Sequence, residues 1–566
     1  MSDTNLLVTL PVGTGLSRMS VIRRVTRDCL SAMSATDLEN PEYVEGVILE
    51  NINDAIEMEN AVRPKGSKWR TLDALIPSQI ADIMAQTYRI VNIVTSKDPN
   101  ADTGLVALYQ DEGLDKGIYS VDTRLFRQIA RAYNYGLSSY EFEEVMNVLR
   151  LQVPEKTICQ NRDMIAVNNG IFDYRNKVLL DFTPDMIFLS KSRVDFNVNA
   201  TNVVIHNDSD NTDWDVESWM NDLSDDPEIV ALLWQVIGAM VRPLVNWDKS
   251  AWFYSESGNN GKGTLCELMR QICGNGTYTS IPLSDFGKDF MLEPLTHASA
   301  IIVDENDVGT YIDKAANLKA VVTGDVIQIN RKFKAPISYQ FHGFMVQCLN
   351  EMPRIKDKSD SFYRRQIFVP FTKCFTGAER KYIKHDYLQR KEVLEYVLHK
   401  VLMMDYYELS TPEACRVALE EYKDFVDPVR EFLKEHMDLF QWDLVPIAFL
   451  YDLYCAWYRA TCGNDRNVKS RPMFIKDIRV LIDELYPDWE FPASSIRPIG
   501  RMTEPEPLIA EYHLNNWMNP LFASSTDVRK KCIPVLKPNY KGLLRRQATL
   551  LTSDGESDTD IVDVGE

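Results

Sequence analysis

The residues best suited to chemistry lie in a glycine-rich segment near the middle of the chain. An apolar run at 251–254 precedes this segment, and apolar residues with helical spacing follow it over 265–272. A strand, a turn of small residues, a lysine and a helix are what a phosphate-binding loop needs, because backbone N–H groups and the helix N-terminus attract anions and the lysine reaches the outer phosphates. The candidate phosphate-binding residues are Gly258, Asn259, Asn260, Gly261, Lys262, Gly263 and Thr264.

Two residues depart from the strict signature of such a loop. Glu256 occupies the place of its first glycine, and Gly263 occupies the place of the serine or threonine that directly follows the lysine. Thr264 supplies the nearest hydroxyl one position late, so the sequence leaves open which group completes the shell of a bound Mg²⁺. A surface turn rich in glycine and asparagine is the alternative interpretation of this segment.

Three polar side chains follow two predicted strands further along the chain. The apolar run 300–303 ends in Asp304 and Glu305, and the run 344–349 ends in Asn350. One carboxylate can hold Mg²⁺, the other can polarise an attacking water, and the amide can orient that water. Buried strands with charged ends are also common in α/β domains, so the pattern taken alone is not specific.

Basic side chains form two further candidate sites. Arg364 and Arg365 precede the apolar run 366–371, where an arginine can contact a transferring phosphate in a neighbouring subunit; an ordinary salt-bridged pair is the alternative. Alternating apolar and polar residues over 327–330 and 337–342 predict a β-hairpin. An aromatic ring flanked by cations at its tip suits single-stranded nucleic acid. The tip consists of Arg331, Lys332, Phe333 and Lys334.

In this order the motifs resemble those of the superfamily 3 helicases, the hexameric AAA+ motors of small viruses, phages and plasmids. The resemblance is strongest to the phage, plasmid and poxvirus primase-helicases. It is carried, between residues 250 and 371, by the Asn-Gly-Lys-Gly-Thr loop at 260–264, the strand ending in Asp304-Glu305, the hairpin after Gly324-Asp325, the segment Asn350-Glu351-Met352-Pro353 and the paired arginines.

The resemblance implies an α/β fold with an AAA+ P-loop ATPase core of the superfamily 3 type. ATP and Mg²⁺ would then bind against Lys262 and Thr264. Asp304 would hold the metal, Glu305 would activate water, and Asn350 would sense the γ-phosphate. These roles define a catalytic set that the finger arginine completes.

The resemblance also implies a homo-oligomeric ring, a hexamer in the family, with ATP hydrolysed between subunits. Arg364 or Arg365 would act in trans, together with Lys319, where relatives place another trans cation. Lys332 and Phe333 would grip one strand in the central channel. The expected partners are single-stranded DNA, further copies of the chain, and a separate primase or other replication proteins.

The predicted function is therefore an ATP-dependent replicative DNA helicase of a phage, virus or plasmid. The alternative is a nucleotide-switched origin-binding or scaffold ATPase that assembles on DNA without processive unwinding, and an ATP-dependent anti-host or packaging factor is a third hypothesis. The hairpin favours translocation, because a switch needs no basic, aromatic tip facing a channel.

The chain of 566 residues is long enough for several domains on either side of this motor. The α+β domain before the motor resembles its counterpart in the primase-helicases around Asn169-Gly170-Ile171. The family often carries a winged-helix module after the motor, although acids interleaved with the basic residues at 466–479 make a solvated face equally compatible. The predicted divisions are 1–68, a segment of unknown role; 69–211, α+β; 212–375, the ATPase; 376–439, a helical lid or linker; 440–550, winged-helix-like; and 551–566, a disordered acidic tail.

Composition narrows the class of protein further. The net charge of −20 argues against a protein that coats nucleic acid over its whole surface, so binding must be local. Ten cysteines include no Cys-x-x-Cys pair and no histidines at zinc spacing, which predicts free thiols in a reducing compartment and argues against a zinc site. There is no secretory signal and no run of about 18 apolar residues, so a cytoplasmic protein without membrane contact is expected.

Overall fold

The computed structural model describes residues 16–94, 104–332, 334–377, 380–462 and 468–546. The protein is mixed α/β and divides into two compact units, Met1–Leu419 and Glu420–Glu566. The predicted acidic tail and Phe333 lie outside the described residues. Among the described helices, none combines the length with the apolar run that a membrane span requires.

Helices and a four-stranded sheet form the first part of unit 1. The strand order is β3-β2-β1-β4, and Asp122 caps α5, its carboxylate accepting from the Arg124 backbone N–H at 2.9 Å. One core runs from Val21 to Val153, so the division predicted at residue 68 falls inside a shared core. The elements are α1 Arg18–Ala32, α2 Ala35–Leu38, α3 Pro41–Val62, α4 Pro77–Thr87, β1 Ile90–Val94, β2 Gly104–Tyr109, β3 Tyr119–Ser120, α5 Thr123–Tyr133, α6 Ser139–Gln152 and β4 Glu155–Lys156.

A three-stranded meander and a hairpin lead toward the centre of unit 1. The first turn of the meander is formed by Asn168 and Asn169, between Val167 of β5 and Gly170 of β6. Helix α8 is apolar on nearly all sides and is accordingly buried. The elements are β5 Met164–Val167, β6 Gly170–Asp173, β7 Val178–Leu180, β8 Ile205–Asn207, β9 Thr212–Trp214, α7 Val216–Asp222 and α8 Pro227–Val241.

A five-stranded sheet of order β11-β12-β16-β10-β18 forms the centre of unit 1, and every neighbouring pair in it is parallel. Its inner strands are apolar on both faces, which a parallel sheet covered by helices requires. The elements are β10 Ser250–Tyr254, α9 Lys262–Cys273, β11 Tyr278–Thr279, β12 Ala300–Val303, β13 Tyr311–Ile312, α10 Ala316–Thr323, β14 Val326–Arg331, β15 Lys334–Gln340, β16 Phe344–Leu349, β17 Arg354–Ile355, α11 Asp360–Tyr363 and β18 Gln366–Pro370.

The strand order determines which loops lie next to one another at the carboxyl edge of the sheet. Strand β16 lies between β10 and β12, and all three run the same way. Their carboxyl ends therefore meet at one edge, which is where ligands bind in open parallel sheets. The loop after β10, the carboxylates after β12 and the amide after β16 are brought to that edge.

The segment predicted as a lid packs directly on this part of unit 1. Val397, Leu398 and Cys415 belong to the same core as Leu265 and Leu268 of α9. A boundary at 375 therefore does not separate two cores. The elements are α12 Lys381–His385, α13 Lys391–Met403 and α14 Glu413–Val426.

Unit 2 is a small helical domain with a three-stranded antiparallel sheet of order β19-β21-β20. Phe432 of α15 stacks among Trp457 and Phe474, so α15, which precedes the division predicted at 440, shares the core of this unit. Along unit 2 a helix, a strand and two further helices precede β20, and the short helices α18 and α19 separate β20 from β21. The elements are α15 Pro428–His436, β19 Leu444–Pro446, α16 Ile447–Cys462, α17 Arg471–Leu485, β20 Trp489–Glu490, α18 Leu508–Glu511, α19 Val528–Lys531 and β21 Gly542–Arg545.

Glu506 is a fully buried carboxyl in unit 2, and burial raises its pKa to about 7. A raised pKa means that stability is fully present below the ordinary pKa of 4.5 and is lost as pH rises through about 7. We expect Glu506→Gln, which cannot ionise, to remove this loss, which is at most about 3 kcal/mol. Denaturant unfolding at pH 5 and pH 8 measures it. The exposed Glu504→Gln serves as the control, and equal pH dependence of wild type and Glu506→Gln would contradict the assignment.

Candidate nucleotide-binding site

The loop between β10 and α9 adopts a backbone shape that depends on its small residues. Asn259 has φ 54° and Gly261 has φ 87°, both in the left-handed region that asparagine and glycine tolerate best. A Cβ at position 261 would also lie 2.6 Å from Cδ2 of Leu223. Glycine is therefore required at this position on two grounds, and Lys262 begins the helix directly after it.

The loop is fastened to the segment that follows β18. The Phe375 N–H donates to the carbonyl of Asn259 at 2.7 Å, and the Cys374 thiol lies 3.7 Å from the carbonyl of Gly258. Asn260 is buried and its side-chain oxygen accepts from the Lys262 N–H at 3.3 Å. Glu256, which replaces the signature's first glycine, is exposed and accepts from the Tyr254 hydroxyl at 2.9 Å, away from these contacts.

Lys262, Asn350 and Glu305 form one connected group at the edge of the sheet. The ammonium of Lys262 donates to Oδ1 of Asn350 at 3.2 Å and to the carbonyl of Ser255 at 3.4 Å. The Asn350 amide donates to the Glu305 carboxylate at 3.5 Å. Burial lowers the pKa of Lys262, because both of its hydrogen-bond partners are neutral oxygens. Three residues separated by up to 88 positions in sequence thus lie in contact.

The position of Asp304 explains why glycine follows the lysine, at position 263. A Cβ at position 263 would lie 3.0 Å from Oδ1 of Asp304, so glycine lets this carboxylate approach the start of α9. Thr264, in the first turn of the helix, is half-buried. The side chain of Asp304 is 36% exposed and lies 3.5 Å from a guanidinium nitrogen of Arg270. The carboxylate is therefore available to a ligand.

The two arginines before β18 occupy different environments. Arg364 is exposed; its backbone N–H donates to the Asp360 carbonyl at 3.0 Å, but its guanidinium makes no hydrogen bond or ion pair with any residue that the structure describes. Arg365 is half-buried, its guanidinium donates to the Ser361 carbonyl, and its own carbonyl accepts from the Ser250 N–H at 2.8 Å. Arg365 thus fastens the start of β18, whereas Arg364 is available to a partner.

Lys319 lies on α10 and is paired within its own chain. Its ammonium lies 2.6 Å from the Asp357 carboxylate and 3.5 Å from the Ser361 hydroxyl. A role in trans would require Lys319 to leave this pair. That role stays a prediction, because one chain cannot place a neighbour's nucleotide.

The predicted hairpin is present and packs on unit 1 through one face. Ile327, Ile329, Ile337 and Tyr339 are buried, and the register shifts between Ile329 and Arg331. The pKa of Arg331 is lowered by burial, while Glu293 opposes that shift and Arg150 adds to it. Lys332 is exposed at the tip. The side chain of Lys334, like Phe333, lies outside what the structure describes.

The sequence analysis did not identify Asn306 and Arg270, two residues that make contacts at this edge of the sheet. Asn306 is buried, and its amide donates to the side chain of Gln347 at 2.9 Å and to the carbonyl of Cys348 at 3.1 Å. These bonds fix the segment after Glu305 against β16. The available signal was Gln347 itself, a polar residue inside an otherwise apolar strand. Arg270 was missed because it carries no motif and contacts Asp304 only through the fold.

Comparisons with known proteins match parts of the chain. Residues 109–225 match a family described as D5 N terminal like, and residues 253–365 match a family of unknown function, DUF5906. The second match contains Lys262, Asp304, Glu305, Asn350 and both candidate finger arginines. Neither match reaches half of the chain.

One curated relative is a viral protein. The protein of Acanthamoeba polyphaga mimivirus named "Putative helicase L207/L206" is 24% identical over 245 residues, which are 42% of this chain and 24% of that protein. The match thus spans about a quarter of the length of the relative.

Solved structures of the NrS-1 C-terminal region are also among the matches to this chain. One apo form has a TM-score of 0.39 at 12% identity, covering 83% of this chain and 100% of the other. A second, of residues 305–718, has a TM-score of 0.40 at 12% identity and covers 76% and 98%.

Proposed function

We propose that residues 250–371 form an ATP-hydrolysing motor and that the chain is an ATP-dependent replicative DNA helicase of a virus, phage or plasmid. The observation that carries this proposal is the contact of Lys262 with Asn350 and of Asn350 with Glu305 at the shared edge of three parallel strands. A phosphate-binding lysine, a polar sensor and a base are the parts that phosphoryl transfer to water uses. The strand order agrees with an AAA+ core of the superfamily 3 type.

The residues at this edge fit ATP and Mg²⁺. Lys262 is buried among neutral oxygens, so its charge has no carboxylate at hydrogen-bond distance and is left for a phosphate. Asp304 and Thr264 would hold the metal, which neutralises charge on the β- and γ-phosphates when bound. The N–H groups of the loop and the start of α9 would hold the remaining phosphate oxygens.

The remaining roles follow from the positions of the side chains. Glu305 is exposed beside Asn350, where it can accept the proton of an attacking water while the amide holds that water. Arg364 projects from the far end of β18 and would reach the nucleotide of the next subunit in a ring. Arg365 would position the strand that carries it.

Translocation would depend on the hairpin β14–β15. It lies in sequence between β12, which is followed by Asp304, and β16, which is followed by Asn350. Movements of either strand with nucleotide state can therefore move the tip. Lys332 and Phe333 would hold single-stranded DNA through charge and ring contact.

This mechanism predicts a separation of activities at the tip. We expect Lys332→Ala combined with Phe333→Ala to keep basal ATPase and assembly but to lose stimulation by single-stranded DNA and strand displacement. Each contact contributes roughly 1–3 kcal/mol to DNA binding. A fluorescent strand-displacement assay, run beside an ATPase assay with and without DNA, measures both effects.

The matched control is Lys356→Ala, which removes an exposed lysine outside the hairpin. It should leave unwinding unchanged. A fall in thermal stability and assembly together with activity would indicate that Phe333 has a structural role only. Normal unwinding by the double variant would remove the translocation mechanism.

A second candidate function, a nucleotide-switched origin-binding or scaffold ATPase, is favoured by unit 2. It combines helices with a small antiparallel sheet, as winged-helix domains do, although α18 and α19 separate its last two strands, and such domains place one helix in a DNA groove. Helix α17 presents Arg471, Lys476 and Arg479 on its exposed side, whereas Lys469 is paired with Asp427 and Asp477. Nucleotide-dependent DNA binding without strand displacement by the wild-type chain would favour this function.

A further inference from the structure

Two cysteines meet behind the candidate phosphate site. Cys266 lies on α9, one turn after Lys262, and Cys348 lies on β16, two residues before Asn350. Their sulfur atoms are 3.3 Å apart, although 82 positions separate them in sequence, and both residues are at most 1% exposed. Buried cysteines often pack simply as small apolar residues. If only apolar residues surrounded this pair of cysteines, no function could be inferred from their contact.

This pair has a third neighbour that changes its chemistry. A carboxylate oxygen of Asp304 and the two sulfur atoms all lie within 4.8 Å of one another. Two thiolates and one carboxylate are a donor set that holds Zn²⁺ and related soft cations, with a fourth position left to water. Mg²⁺ prefers oxygen donors alone and would not be held by the sulfur atoms.

We propose that Cys266, Cys348 and Asp304 form a binding site for one thiophilic divalent cation, of the Zn²⁺ or Cd²⁺ type. Binding requires each thiol to release its proton to solvent and to coordinate as a thiolate. Both sulfur atoms are closed to solvent, whereas the Asp304 carboxylate beside them is partly exposed. A cation would therefore reach the site past Asp304.

The geometry and the charge of this cluster are both compatible with a cation. Two Zn–S bonds of about 2.3 Å in a tetrahedral shell place the sulfur atoms about 3.8 Å apart, so they need to separate by only about 0.5 Å. Three anionic donors exceed the charge of a divalent cation by one. The Lys262 ammonium, whose electrostatic neighbours include Cys348, Cys266 and Asp304, supplies the balancing positive charge.

The site has a regulatory consequence, and that consequence rests on the proposed function. Asp304 is also the proposed ligand of the nucleotide's Mg²⁺, so it cannot serve both cations without a change in its coordination. A soft cation would therefore inhibit hydrolysis by occupying Asp304 and by fixing α9 against β16. The sequence argued against zinc because its spacing rules cannot relate residues 266 and 348.

The test uses the full chain, free of nucleotide and kept reduced with a phosphine. Titration with Cd²⁺ alone, followed by thiolate-to-metal ultraviolet absorption, should reveal one equivalent per chain. Cys266→Ser and Cys348→Ser should each weaken binding at least tenfold. Cys273→Ser, which alters another buried cysteine of α9, should bind like the wild type. Unchanged binding in the first two variants would overturn the proposal.

A second measurement does not depend on the folding of variants. X-ray absorption of the wild-type zinc complex should show two sulfur neighbours at about 2.3 Å. A shell of nitrogen and oxygen only would overturn the site. If Cd²⁺ binds as expected but Mg²⁺ with ATP fails to compete with it, the cation site stands and the role of Asp304 in the proposed function fails.

Discussion

Lys262→Ala is expected to abolish ATP hydrolysis, with a loss of at least about a hundredfold, which is the usual effect of removing one charge-stabilising donor. The ammonium is buried and bonded to Ser255 and Asn350 through neutral oxygens, so the substitution removes the positive charge at this point of the site. Phosphate release at saturating ATP measures the loss. Glu305→Gln should also block turnover, by about 10²–10⁴-fold, while ATP binding persists.

Comparing ATP binding by these two variants separates the role of the lysine from that of the glutamate. Binding of a fluorescent ATP analogue should be weakened by Lys262→Ala and retained by Glu305→Gln, because in the proposed mechanism the lysine contacts the phosphates whereas Glu305 contacts only the attacking water. Glu351→Gln, on the exposed residue after Asn350, is the matched control and should hydrolyse ATP normally. Unchanged turnover in Glu305→Gln would refute the assignment of the base.

The second large effect is expected at Arg364. Removing a finger arginine lowers hydrolysis by about 10³–10⁵-fold, and Arg364 is the exposed member of the pair. Arg364→Ala should therefore lose turnover while keeping stability. Arg365→Ala should instead lower stability, because its guanidinium fastens α11 to the start of β18. ATPase assays and thermal unfolding of the two variants separate these outcomes.

Mixing experiments test whether Arg364 acts in trans. Protein carrying Arg364→Ala, combined with protein carrying Lys262→Ala, would restore some interfaces that contain both an intact lysine and an intact arginine. Activity above that of either protein alone is the expected result. Equal inactivity at every mixing ratio would place Arg364 in its own subunit's site or outside catalysis.

The strands that carry the site could be predicted because apolar runs in a parallel sheet are continuous and end where polar residues begin. The strand 300–303 and the strand 344–349 have the predicted bounds, and the hairpin follows its alternating pattern. The turn after β10 could be predicted because glycine is favoured at a left-handed φ, as at Gly261.

Contacts between distant residues could not be predicted in this way. Nothing in the pattern around Gly263 shows that Asp304 lies against it, and the choice between Arg364 and Arg365 depends on which side chain the fold buries. The core around the predicted division at residue 68 is a second example. Helices on both sides of that residue bury their apolar faces in one core, and the local pattern does not show this.

Strand β18 gives the site a mechanical property. It is clamped to β10 at both ends, by Ser250 donating to Arg365 and by Phe371 donating to Tyr254, each at 2.8 Å. Arg364 precedes the strand, and the segment after it holds the phosphate loop through Phe375. Five residues of β-strand span about 17 Å. In a ring, β18 would connect each subunit's own candidate nucleotide site to the arginine proposed to act on the neighbouring subunit. We expect hydrolysis to pass from subunit to subunit in order, because a movement at one end of the strand would be transmitted to the other end.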